Sequence, residues 1–384
     1  MKNKFILIFI LISLISCDVL FRDEKEERIY RAKNSKGDIL IGAVAPWEII
    51  RDETNYLNGI EMAVSEINQK EKVLGRKIKI ITEDDEKDIT KAQIIANSFA
   101  KKSDIVAVIG HFDPQISNSV SIIYEYSGIL MLTPTFSDAN LTNRGFKYIF
   151  RTTPSDEEIG KEIAEFLKKN RYIWSLIFYL DNPHGWNVTN KLEVHLEKLG
   201  FTVADRRAYG LMSDVKYFRK ELLNIQRDYK FNVMVISGTA PQAGYLIKEA
   251  RNLGIDVPIV GSPGLASTKL LDFGEETLGN VTVATFFHPD NPNKKVQSFT
   301  SSFEKKIGKK PDVWAAQGYD AVHLLAYAMQ KAGTTDPEKV SFILHSIKNW
   351  EGVTGNHTFD YKGNMVQKKI IFQTVKNNSF EFKN

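Results

Sequence analysis

Residues 105–141 read IVAVIGHFDPQISNSVSIIYEYSGILMLTPTFSDANL. The order is strand, helix, strand and polar turn. Ile105 to Ile109 is an apolar run ended by Gly110, the pattern of a strand buried on both faces of a parallel sheet. Gln115 to Tyr126 spaces Ile116, Val120 and Ile123 along one face of a helix. Ile129 to Leu132 is a second buried strand. It runs into Thr133-Pro134-Thr135-Phe136-Ser137-Asp138, a turn dense in hydroxyls and backbone donors. Ligands of open α/β sheets bind beyond the carboxyl ends of the strands, so Gly110 to Ser117 and Thr133 to Asn140 are expected to form two lips of one crevice.

The same alternation extends in both directions. Strands are expected at Ile39 to Val44, Ile78 to Thr82 and Tyr148 to Thr152, with helices from Tyr56 to Ile67 and from Thr90 to Lys101. After Thr153-Pro154-Ser155-Asp156, where Ser155 or Asp156 can cap a helix to Lys169, the pattern restarts. Ser175 to Leu180, Val203 to Ala208, Val233 to Ser237 and Ile259 to Gly261 are strand candidates, separated by helices at Val188 to Leu199, Tyr217 to Tyr229 and Ala240 to Leu253. Two runs of β-α units predict an α/β protein of two doubly wound lobes. The last third adds a strand at Val281 to Phe287, helices at Val296 to Ile307, Trp314 to Lys331 and Pro337 to Ile347, and a hairpin about Lys362-Gly363-Asn364 between Thr358 to Asp360 and Lys369 to Thr374.

The first residues give an address. Lys2 and Lys4 precede Phe5 to Ile15, an apolar core short for a membrane span and suited to a secretory signal. Leu14-Ile15-Ser16-Cys17 follows and resembles the bacterial lipobox, which implies lipidation of Cys17, the single cysteine of the chain. No disulfide can form within the chain. Asp18 to Gly37 is charged without a sustained apolar period and is expected to be a tether. At 384 residues and 43% hydrophobic content the chain can bury the cores of about two domains. Its formal charge of +4 falls to +2 without Lys2 and Lys4, and lysine is spread over helix faces, so nucleic acid is not an expected partner.

Several segments, in order, carry a family resemblance. They include Leu57-Asn58-Gly59 with Ala63 to Asn68, Val73-Leu74-Gly75-Arg76-Lys77-Ile78 with Glu83-Asp84-Asp85, Gly128-Ile129-Leu130 with Thr133-Pro134, Phe150-Arg151-Thr152 with Ser155-Asp156, Ala315 to Ala321, and Thr354-Gly355 with Phe359-Asp360. From Gly37 to about Phe372 the chain resembles the type I periplasmic solute-binding lipoproteins of the branched-chain amino acid and amide class. That resemblance implies two Rossmann-like lobes joined by a three-segment hinge, with residues 37–154 and 287–365 in the first lobe and 155–286 and 366–384 in the second. It further implies closure on a small amino acid, amide or carboxylate that an ABC permease accepts, at a bacterial envelope and with no cofactor.

In relatives that bind α-amino acids, the turn matching Thr133 to Asp138 holds the ligand through a backbone carbonyl at Thr135 and a hydroxyl at Ser137. A carboxylate-binding serine matches Pro114, with Gln115 and Ser117 nearby. An ammonium-binding acid matches Pro263, beside Ser262, and a tyrosine matches Thr239. These departures argue against a branched-chain amino acid, because an ammonium group without a compensating acid is poorly solvated in a closed crevice. Trp47 on one loop and His184 with Trp186 on another could replace what is lost, the tryptophans alternatively serving in packing and His184 alternatively being a polar loop residue without ligand contact. Asp156 and Asp320 read as capping or hinge residues. Free helix N-termini facing the gap would suit a carboxylate or amide oxygen.

Other chemistries lack their signatures. Glu83-Asp84-Asp85-Glu86 has no calcium-loop glycine, the seven histidines show no zinc spacing, and there is no G-x-S-x-G elbow, P-loop or G-x-G-x-x-G. A solute-capturing importer component, a ligand-binding sensory lipoprotein and a surface lipoprotein that contacts another protein are the readings compatible with the sequence.

Overall fold

The computed structural model describes residues 23–70 and 72–383. The signal segment and Cys17 lie outside the described residues. One sheet contains β1 (Ile39–Ala45), β2 (Ile78–Asp84), β3 (Ile105–Gly110), β4 (Leu130–Thr133) and β5 (Ile149–Arg151) in the order β2-β1-β3-β4-β5. All its pairings are parallel. Every residue of β3 and β4 is buried, because helices cover both faces and an apolar side chain suits either direction of the pleat. In the second sheet, β6 (Trp174–Leu180), β7 (Thr202–Tyr209), β8 (Val233–Ser237), β9 (Ile259–Gly261) and β10 (Val281–Thr285) repeat this winding as β7-β6-β8-β9-β10. The order reverses between β1 and β3 in one lobe and between β6 and β8 in the other. Those switch points open a crevice beyond the strand ends, and the two crevices face each other.

A hairpin of β11 (Trp350–Gly352) and β12 (Gly355–His357) precedes β13 (Ile371–Lys376) and β14 (Ser379–Lys383). The expected hairpin about Gly363 is only a tight turn, with a single antiparallel bridge between Phe359 and Met365. Residues 371–376 pair instead with β10 and β14, both antiparallel, and so close the second sheet. The chain thus passes between lobes three times, after β5, after β10 and between Met365 and Ile371. Val296, Phe299 and Phe303 of helix Lys294–Ile307 join a core shared with Ile159, Val188 and Phe286, so this helix packs where the lobes meet.

Local chemistry sets where the helices begin. Pro114 occupies the first turn of helix Pro114–Ser127, Asp113 accepts from the amides of Gln115 and Ile116, and Gly128 ends it at φ 66°. Helix Asp156–Lys169 starts with a capping box between Ser155 and Glu158. Gly59 is required where helix Tyr56–Lys70 crosses helix Val313–Ala332, since a Cβ there would collide with the Ala315 carbonyl.

Residues 24–34, expected within a charged tether, form the helix Glu24–Asn34. Its apolar content is low, and one buried cation fixes it. The Arg28 guanidinium donates to the carbonyls of Ile105, Ser127, Phe99 and Ala100, filling acceptors left open at the ends of two helices. Burial pulls its pKa down to about 10. A pattern search for apolar residues misses such a docking helix because the contact is polar.

Candidate functional site

The loops after β3, β4, β6, β8 and β9 converge on a crevice of about 410 Å³. One lobe supplies Phe112, Pro114, Thr135 and Ser137, with Ile49 and Ile50 at the rim. The other supplies Asn182, His184, Thr239, Pro263 and Phe286. Val313, Trp314 and Gln317, at helical spacing on Val313–Ala332, form a wall between them. An adjoining cavity of about 370 Å³ shares Glu53, Thr285, Val313 and Trp314 with it.

At the hinge end, the Nδ1 of His184 lies 2.9 Å from Asp156 Oδ1 and 3.0 Å from the Ser137 hydroxyl. Helix Pro183–Lys198 begins at this point, one turn earlier than its apolar spacing suggests, because Asn182 caps it and Pro183 fits its first turn. Burial opposes ionisation of both members. The Asp156 charge nevertheless raises the His184 pKa, and His184 lowers that of Asp156. Asp156 Oδ2 is buried without a hydrogen-bond partner. Asp113, Asp138, Glu53 and Lys87 add charge to the lining, with Lys87 Nζ 3.9 Å from Asp113 Oδ2.

The helix N-terminus at Pro114 differs from its expected role. Asp113 already takes its free amides, so a carboxylate placed there would meet a fixed negative charge. The crevice carries four acidic side chains, Glu53, Asp113, Asp138 and Asp156, against Lys87 and His184. Such a lining suits a ligand bearing N–H donors or an ammonium group.

The structure brings together Thr135, Ser137, His184 and Thr239, with Pro114 and Pro263 beside them. Five other expected contacts lie behind the wall or outside it. The Trp47 indole donates to the Glu83 carbonyl and stacks at 5.7 Å on Tyr56, starting a ring series that continues through Phe112 to Trp314. Trp47 therefore supports the wall rather than forming it. Gln115 is exposed on the helix flank. Ser117 is buried and its hydroxyl donates to the His111 carbonyl, while Ser262 accepts from the Gly238 amide and so braces the loop carrying Thr239. Trp186 is half exposed and outside the lining.

Asp156, Lys87 and Gln317 are among the lining residues missed as contacts. Asp156 reads as a cap in sequence, yet Ser155 is the cap and the Asp156 carboxylate turns to His184. Lys87 lies on a loop whose register depends on Asp85, which accepts the Lys87 amide and holds His111 at 2.8 Å. Gln317 is a polar residue between Ala316 and Gly318 on a mostly buried helix, a signal the apolar spacing hides. Asp320, three residues on, accepts from Val353 and Thr354, consistent with a hinge role. Among the described residues no group of three or more potential ligands could hold a metal ion.

The sequence model of a family described as periplasmic binding protein matches residues 52–379. A leucine-, isoleucine-, valine-, threonine- and alanine-binding protein of Pseudomonas aeruginosa is 28% identical over 311 residues, which cover 80% of this chain and 81% of that protein. An ABC transporter substrate-binding protein of Desulfitobacterium hafniense, solved in complex with Leu, superposes with a TM-score of 0.80 at 31% identity, covering 90% of this chain and 100% of that one. A leucine-binding protein of Thermotoga maritima shares the fold at a TM-score of 0.78 and 24% identity, covering 90% and 98% of the two chains.

Proposed function

The chain belongs to the periplasmic binding protein family, and from that premise we propose that it is the extracytoplasmic solute-capturing component of an ABC importer. Its ligand is a small amino-acid-like or amide-like molecule enclosed between the lobes. The carrying observation is the 410 Å³ crevice, lined from both lobes at both switch points. That volume lies within the range of small-ligand sites. The amino-acid binding named for the Pseudomonas and Desulfitobacterium relatives supports the same class. Closure would be the signal that the permease reads.

In this reading Cys17 carries the lipid that holds the protein at the membrane. Two or more acyl chains anchor stably, and among the described residues no helix is long and apolar enough to cross a bilayer. Labelled fatty acid should enter the wild type and be absent from Cys17→Ser.

A thermal-shift screen of the full chain against amino acids, aliphatic amides, urea and small carboxylates tests the capture. A ligand at 100 times its dissociation constant adds about 2.7 kcal/mol of stability. A shift with one chemical class identifies the cargo. No shift across all four overturns the assignment.

A further inference from the structure

We infer that Gln317 selects the cargo by hydrogen-bonding a polar group on the part of the ligand that enters the apolar half of the crevice, so that a purely hydrocarbon side chain is disfavoured. The inference rests on the capture of an amino-acid-like solute proposed above and narrows its class. Gln317 is 2% exposed and lines the crevice. Neither Nε2 nor Oε1 of its amide has a hydrogen-bond partner. Native proteins satisfy nearly all buried polar atoms, and a side chain with both ends open is rare outside sites that bind something.

Phe112, Phe286, Val313 and Trp314 line the crevice with Gln317, and none of these four side chains carries a group that could answer both a donor and an acceptor. The Trp314 ring is held by Phe112 at 5.1 Å, and the close crossing at Gly59 fixes the helix on which Gln317 stands. The amide is thus presented on a rigid wall. A ligand carboxamide, which offers one acceptor and two donors, complements it. A ligand methyl would seal it from water with both atoms unpaired, and a site built to hydrogen-bond its substrate rejects analogues that lack the group.

Leucine and asparagine separate the alternatives, because their side chains have nearly the same shape and differ in two methyl groups against a carbonyl oxygen and an amide NH2. Calorimetric titration of the full chain in detergent with each should show asparagine at least tenfold tighter than leucine. In Gln317→Met the ratio should move at least tenfold toward leucine, with the melting temperature unchanged or higher. Gln317→Leu provides the same comparison should the first variant fail to fold. Tighter leucine binding by the wild type, or a ratio that the variants leave unchanged, overturns the role of Gln317 while solute capture stands. Binding of neither amino acid overturns the inference together with the amino-acid-like class on which it depends.

Discussion

The Ser137 hydroxyl of one lobe and the Nδ1 of His184 in the other lie 3.0 Å apart at the inner end of the crevice. This contact joins the lobes beside the first hinge crossing, and Asp156, next to that crossing, shares the same ring nitrogen. Ser137→Ala is expected to weaken ligand binding about fivefold, the equivalent of one ordinary hydrogen bond of roughly 1 kcal/mol. The melting temperature of the unliganded protein should change little, since the hydroxyl supports no core contact. Titration calorimetry alongside a melt checks both, and unchanged affinity removes Ser137 from the site.

The His184–Asp156 pair makes the junction sensitive to pH. The His184 pKa is raised above 6.5 by Asp156, so its contribution is fully present below 6.5 and is lost as pH rises through the raised value. The Asp156 pKa is lowered below 3.8, so its contribution is present above 3.8 and is lost as pH falls through the lowered value. Between about pH 4 and 6.5 both act together. Melting temperatures of the wild type should therefore decline from pH 6 to pH 8.5 relative to His184→Gln. Parallel pH profiles for the two proteins would exclude the coupling.

The docked helix gives a third expectation. Arg28→Met removes donors to carbonyls at two helix ends but also relieves the burial of a charge, so a net loss of about 2 to 3 kcal/mol is expected. Hydrogen exchange should accelerate across residues 24–34 and at the ends of helices Ile89–Lys101 and Pro114–Ser127. Ligand affinity should be unchanged, because Arg28 lies away from the crevice lining. Exchange confined to its wild-type rates would show that the helix is held by other contacts.

At the mouth, Lys269 of one lobe pairs with Glu53 of the other. Both side chains are 43% exposed, so the pair is worth under about 1 kcal/mol and is screened by salt. Glu53→Gln should weaken ligand binding by a factor of about two to three at low salt and by less at 0.5 M. An effect independent of ionic strength would assign Glu53 to direct ligand contact.

The alternating lobes were legible in the sequence because β3, β4, β8 and β9 are buried along their whole length and so read as unbroken apolar runs. Thr135, Ser137 and His184 lie on loops that the strand-end rule places at the crevice. Trp47 was misplaced because the rule fixes the loop and leaves the ring direction to a single hydrogen bond to Glu83. Gln317 was read only within the family-like segment Ala315 to Ala321 and not as a contact, since it enters from a helix of the last third, through a packing that no local pattern records. Residues 371–376 showed the right strand and the wrong neighbour, which is decided by a crossing between lobes.

Lys368 ties the crossings together. Its ammonium donates to the Thr152 carbonyl at 3.0 Å and the Thr354 hydroxyl at 2.7 Å, and the Thr354 hydroxyl in turn donates to Asp320 at 2.6 Å. Thr152 lies in the first crossing and Lys368 in the third. Burial, opposed by Asp320, brings the Lys368 pKa down to about 8 from 10.5. A folded value below the unfolded one means that folding releases a proton between those limits, so wild-type stability should rise with pH above 8. At 1.36 kcal/mol per unit the gain by pH 9.5 is roughly 2 kcal/mol. Lys368→Met has no such proton to release. It should be destabilised by about 3 to 5 kcal/mol at pH 7.5, because Asp320 is left buried without its cation, and its deficit should widen at pH 9.5. Urea unfolding of both proteins at the two pH values measures the difference, and a deficit independent of pH would mean that Lys368 keeps its ordinary pKa inside the hinge.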